Sequence, residues 1–142
     1  IAGGDLSVLI RKQDYQLIAE HAQKEAPNEA CGALLGKHEN EKIVVERVVK
    51  AKNIRESPVE YEISAEEILE IYRLSEVLEL EVVGFYHSHP FHGPFWSTVD
   101  DERSKLWINH LFLIYSVAQN EAKCYKRVAE NRVEEEPIEI VE

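Results

Sequence analysis

Apolar and polar positions along this chain change period several times, and each change marks an element. Leu6 to Ile10 is a short apolar run of strand length. From Asp14 to Glu25, Tyr15, Ile18, Ala19 and Ala22 form one helical stripe. Ala30 to Gly36 and Ile43 to Val49 read as strands joined by a polar turn around Glu39-Asn40. Lys52 to Ile63 has no clear period and contains Pro58, so it reads as a loop or an edge strand. Ser64-Ala65-Glu66-Glu67 predicts a capping box, followed by Ile68, Ile71, Tyr72, Leu74, Ser75 and Leu78 at helical spacing. Glu81 to Tyr86 reads as a buried strand, Thr98 to Trp107 as a helix, and Leu111 to Val117 as another apolar strand. Lys123 to Val128 alternates, and the acidic tail Val133 to Glu142 predicts one added edge strand. Strands and helices interleave, so an α/β or α+β layered fold is expected.

Length and charge narrow the classes. A chain of 142 residues fits one domain with a real core. The net charge of −11 argues against nucleic acid or an anionic membrane as partner, because both select basic patches. No apolar run approaches a membrane span and no signal peptide is visible, so a cytoplasmic chain is expected. Cys31 and Cys124 have no metal-site spacing and read as buried free thiols. The pattern leaves a homodimer open.

The chemistry concentrates in His87-Ser88-His89-Pro90, followed by Ser97 and Asp100. On a strand, residues i and i+2 share a face, so His87 and His89 leave the strand end side by side. Two imidazoles and one carboxylate make a three-ligand shell for Zn²⁺ whose fourth position stays open, the catalytic arrangement. Ser97-x-x-Asp100 is also a helix N-cap with an acidic third residue. The readings agree, since a helix starting near Thr98 lifts Asp100 towards the histidines. His92, beside Gly93 and Pro94, reads as an exposed or supporting residue at a turn tip, and Phe91, Phe95 and Trp96 as core or pocket wall. His21, His38 and His110 read as structural or solvated.

His-x-His-Pro, six residues, then Ser-x-x-Asp resembles the signature of the JAMM (MPN-type) zinc metalloproteases. Pro27-Asn28-Glu29-Ala30-Cys31-Gly32-Ala33-Leu34-Leu35-Gly36 is similar to the family's upstream glutamate motif. Trp96 departs from the pattern, where proline often precedes the serine. The resemblance implies a curved mixed sheet flanked by helices, similar to cytidine deaminases, although His-x-Glu and Pro-Cys-x-x-Cys are absent. It implies one catalytic zinc on His87, His89 and Asp100, with Glu29 as general base and Ser97 as donor to the oxyanion.

The implied activity is isopeptide cleavage after the C-terminal diglycine of ubiquitin-like small modifier proteins, as in archaeal and bacterial standalone members. The alternatives are a processing hydrolase for a sulfur-carrier protein and a non-catalytic scaffold that binds ubiquitin-like proteins. Family members clamp the substrate tail as an added strand near Asn53 to Ile63, which nominates Ser57, Pro58, Val59, Glu60 and Tyr61 as substrate-binding. Ile1-Ala2-Gly3-Gly4 reads as a vector-derived leader or, because it ends in diglycine, as a piece of modifier tail.

Overall fold

The computed structural model describes residues 7–142. The expectations for Ile1-Ala2-Gly3-Gly4 and for Leu6 lie outside the described residues. The chain order is β1 (Ser7–Arg11), α1 (Lys12–Glu25), β2 (Cys31–Glu39), β3 (Lys42–Ala51), α2 (Ala65–Leu78), β4 (Glu81–His89), α3 (Thr98–Ser104), β5 (Leu111–Ser116), β6 (Glu121–Ala129), β7 (Arg132–Glu136) and β8 (Ile138–Val141). The strands form one mixed sheet in the order β7-β6-β5-β4-β2-β3-β1-β8. β4 pairs with β2 antiparallel and with β5 parallel, so it lies at the sheet's centre.

Both faces of the sheet are covered, by different helices. Ile18 and Ala22 of α1 pack with Val8, Ile10, Leu34, Val83, Tyr86 and Leu113 on one face. Ile71 of α2 packs with Ala33, Leu35, Val82, Phe85 and Phe112 on the other. This explains why β2, β4 and β5 read as apolar runs rather than alternations. Burying each large aliphatic side chain here contributes about 1.5–3 kcal/mol.

β4 carries one extra residue against β2: Leu34 pairs with Gly84 but Leu35 with Val82, so Val83 is bulged. The bulge swaps faces along β4. Phe85, and with it the alternate positions His87 and His89, point to the α2 side. Gly84 is required at this point, because a Cβ there would strike the Leu111 carbonyl of β5.

Several boundaries differ from the sequence pattern. α1 starts at Lys12, directly from β1, where Arg11 Nε donates to Asp14 Oδ2 at 2.9 Å. The box at Ser64 is half formed: Ser64 Oγ accepts from Glu67 N, but the Glu67 carboxylate turns to accept from Lys52 N at 3.0 Å. α3 stops at Ser104, and a turn carries the chain to Trp107. The tail makes two strands, not one. β7 joins β6 at one edge and β8 joins β1 at the other, with only Pro137 between them. One residue spans only a few ångströms, so the sheet curls until its two edges meet. Among the described residues, no helix is long and apolar enough to cross a membrane.

Candidate functional site

The site is built where β4 leaves the sheet. His87 and His89, both on that strand and both buried, stand with ring centroids 5.2 Å apart. Ser88 between them faces the other way, and its Oγ accepts from Ala30 N at 2.8 Å. That bond ties β4 to the residue after Glu29. The β2–β4 register pairs Cys31 with His87. Continued two residues further, it sets Glu29 across from His89.

Asp100 reaches the histidines from the first turn of α3. Ser97 caps that helix with both halves of the box: Ser97 Oγ accepts from Asp100 N at 3.0 Å, and Asp100 Oδ2 accepts from Ser97 N at 3.1 Å. Asp100 Oδ1 lies 2.8 Å from His87 Nε2, and Oδ2 lies 3.2 Å from His89 Nε2. The cap uses the Ser97 oxygen as an acceptor, so its proton stays free to donate.

The donor set suits a cation. One ligand atom each from His87, His89 and Asp100 lies within 4.8 Å of the others. His89 Nδ1 is 2.9 Å from the Gly93 carbonyl, which can only accept, so Nδ1 carries the proton and Nε2 offers a lone pair. His87 comes within 2.8 Å of the carboxylate, yet the direction is wrong for a hydrogen bond, and neither ring nitrogen has a hydrogen-bond partner among the described residues. Buried lone pairs converging on one point are costly unless a cation sits between them. Two imidazoles and a carboxylate are the hard-to-borderline ligands that zinc takes. Burial alone would raise the Asp100 carboxyl, but His87 and His89 beside it hold it well below the carboxylate range.

Glu29 is buried, and its Oε1 has no partner among the described residues. Burial first, then the charges of Asp100 and Glu60, push its carboxyl from 4.5 up to about 9. Its backbone is pinned: Glu29 N donates to Ser57 O at 2.8 Å, and Asn53 Nδ2 donates to Glu29 O at 3.0 Å.

The stretch from Lys52 to Ser64 is irregular, so it resolves to the loop reading rather than to an edge strand. Its order comes from buried Asn53, which also donates to Glu60 O and accepts from Arg55 N and Glu62 N. The five nominated residues divide. Tyr61 stacks on His87 with centroids 4.6 Å apart. Glu60 accepts from Arg103 of α3 at 2.6 Å. Ser57 supports Glu29 through its carbonyl, while Pro58 and Val59 face solvent. Tyr61 and Arg103 also line a cavity of about 170 Å³ walled by Ile63, Ile68, Phe85, Trp107 and Phe112.

Around the rim, Trp96 packs against Phe112 and Tyr125, as a wall should. Phe91 does not, being 62% exposed, whereas Phe95 is 52% exposed yet stands edge-on to His89 with ring centroids 5.7 Å apart. The loop that carries them is held by backbone carbonyls, His92 O accepting from Ser116 Oγ and Pro94 O from Tyr125 Oη. Phe91 and His92 project outwards from it, while Pro94 is buried. Cys31 and Cys124 are buried free thiols, and burial pushes the Cys31 thiol up to about 12. Sequence reasoning did not single out Ser88 or Asn53. Strand alternation does put Ser88 opposite the histidines, whereas nothing local marks Asn53.

Known proteins share this framework. The family model described as prokaryotic homologs of the JAB domain matches residues 11–128. A desampylase of Pyrococcus furiosus is 39% identical over 104 residues, covering 71% of this chain and 69% of that protein. A CysO-cysteine peptidase of Mycobacterium tuberculosis is 29% identical over 142 residues, covering 98% of this chain and 95% of that protein. The solution structure of a protein from Desulfitobacterium hafniense superposes with a TM-score of 0.85 at 28% identity, covering 95% of this chain and 93% of that one.

Proposed function

The chain belongs to the family of prokaryotic JAB-domain homologs, and on that premise we propose that it is a zinc-dependent isopeptidase cleaving after the C-terminal diglycine of ubiquitin-like modifiers. The observation that carries this reading is the convergence of His87, His89 and Asp100 lone pairs beside Glu29, whose buried carboxyl oxygen lacks a partner among the described residues. His87, His89 and Asp100 would hold the metal. When bound, zinc supplies a Lewis acid for the scissile carbonyl and a water whose pKa falls to about 7.

Glu29 acts as the base. Its unpartnered oxygen takes the proton that the attacking water loses, and the same group returns it to the leaving amine. A cation nearby favours the ionised carboxylate, lowering a pKa that burial otherwise raises. Ser97 donates its free hydroxyl proton to the developing oxyanion. Tyr61, stacked on His87, keeps bulk water from that side of the ring. The loop from Ser57 to Tyr61 supplies backbone and apolar contacts to an extended, glycine-ended tail.

A second reading, processing of a sulfur-carrier protein, is favoured by the similarity to a CysO-cysteine peptidase over 98% of this chain. A non-catalytic scaffold fits less well, since each expected ligand position is filled. The test is digestion of a panel of conjugates of ubiquitin-like and sulfur-carrier proteins, with elemental analysis of the purified protein. About one zinc per chain and chelator-sensitive cleavage at the diglycine are expected. Protein free of transition metal, with no cleavage of any conjugate after zinc loading, would overturn the proposal.

A further inference from the structure

Asp100 and Ser97 depend on a very short helix. α3 has seven residues, too few to hold its shape unaided. Its far side rests on Arg127 of β6, whose side chain is fully buried. Arg127 Nη2 donates to Asp101 O at 2.9 Å, to Asp101 Oδ1 at 2.7 Å and to Ser104 Oγ at 2.9 Å. Nη1 donates to Glu130 O at 2.9 Å. One guanidinium thus bonds both the residue after Asp100 and the last residue of the helix. Its backbone does the same for the next loop: Asn109 N donates to Arg127 O, and Arg127 N to His110 O.

Asp101 extends the chain of contacts to the other flank. The oxygen that receives Arg127 also accepts from Trp96 Nε1 at 3.1 Å. Asp101, the residue after Asp100, therefore links Arg127 to Trp96, the residue before Ser97. Burying a guanidinium is expensive, and its Nε has no hydrogen-bond partner among the described residues. An apolar side chain of similar volume often serves stability as well or better. Its fork of donors, in contrast, fixes a direction that an apolar group cannot.

We propose that Arg127 is a positioning residue which, through Asp101, orients α3 so that Asp100 and Ser97 face His87 and His89. This rests on the metal-dependent reaction proposed above. Supporting residues behind metal ligands typically change affinity by about 10- to 100-fold when altered.

The experiment compares wild type, Arg127→Lys, Asp101→Asn and the double variant, each in the full chain. Cobalt(II) replaces zinc as the probe, with its visible absorption and its dissociation constant as readouts. Amide hydrogen exchange of residues 98–104 is read against that of β2 and β4 without metal. Each single variant should weaken cobalt binding by about 10- to 100-fold, change the absorption bands and speed exchange in α3 selectively. The double variant should be no worse than the weaker single one, because both act along one path. Lower melting temperatures with unchanged cobalt affinity and spectrum, and exchange raised evenly, would reduce Arg127 to an ordinary stabilising residue and overturn the proposal. Asp101 is partly exposed, so its variant decides the matter if Arg127→Lys does not fold. A wild type that takes up no cobalt overturns the parent function. A wild type that binds it as well as its variants do overturns only the role of Arg127.

Discussion

Glu29 combines two properties that seldom occur together in a carboxylate: it is buried, and one oxygen is left without a partner among the described residues. A purely structural role would have satisfied that oxygen. Replacing Glu29 with Gln keeps the shape and removes the base. Turnover should fall by about 10²–10⁴-fold, while zinc content stays at the wild-type level. Near-normal turnover in Glu29→Gln would send the search to another carboxylate. The same substitution has a signature in metal-free protein. The folded pKa lies near 9 against an ordinary 4.5, so between these values the unfolded chain has released a proton that the folded chain still holds. Stability should therefore decline as pH rises through that window and level off above it. Urea unfolding across pH 5–9 should show a shallower decline in Glu29→Gln, and parallel curves would mean that Glu29 titrates normally.

At the scale of elements, legibility followed periodicity. β2, β4 and β5 showed as apolar runs because both faces are covered, and the His-x-His and Ser-x-x-Asp spacings anticipated that His87, His89 and Asp100 converge, because strand and helix geometry is regular. The loop from Lys52 to Ser64 gave no period. Its shape depends on Asn53, whose bonds to Glu29, Glu60 and Glu62 cross many positions in the chain. The outward turn of Phe91 and His92 was equally hidden, since the loop is held by carbonyl bonds to Ser116 and Tyr125. Nothing local marks Arg127, because its partners Asp101 and Ser104 lie 26 and 23 positions away in the chain. Shortening the loop by removing residues 55–60 tests its proposed part in holding the substrate tail. Glu60 and its ion pair with Arg103 would be lost, and with them a side chain beside Tyr61. KM for modifier conjugates should rise well beyond any change in zinc content, because none of the candidate metal ligands lies in the loop. Kinetics like those of the wild type would eliminate the loop as a tail clamp.

At the scale of the molecule, the curl of the sheet separates stability from chemistry. The tail's two strands stand on opposite edges, so the final strand closes a circuit that begins at β1. Val8 N donates to Pro137 O at 2.9 Å, and Val8 to Arg11 pair with Ile138 to Val141. The candidate metal ligands lie on β4 and α3, and three strands stand between β4 and β8 in the sheet order. Closure of the sheet should therefore support the fold without shaping the site. Removing residues 138–142 deletes four strand pairings. At about 1 kcal/mol for each net hydrogen bond, with the packing of Ile138 added, the loss is on the order of 3–5 kcal/mol. For a chain of this size that corresponds to a fall in Tm on the order of 10 °C. Zinc stoichiometry and turnover at 25 °C should remain close to wild type. Circular dichroism melts beside metal analysis separate the two effects. If the shortened chain lost its metal while still folded, the edge and the site would be coupled, and the division of labour argued from the strand order would be wrong.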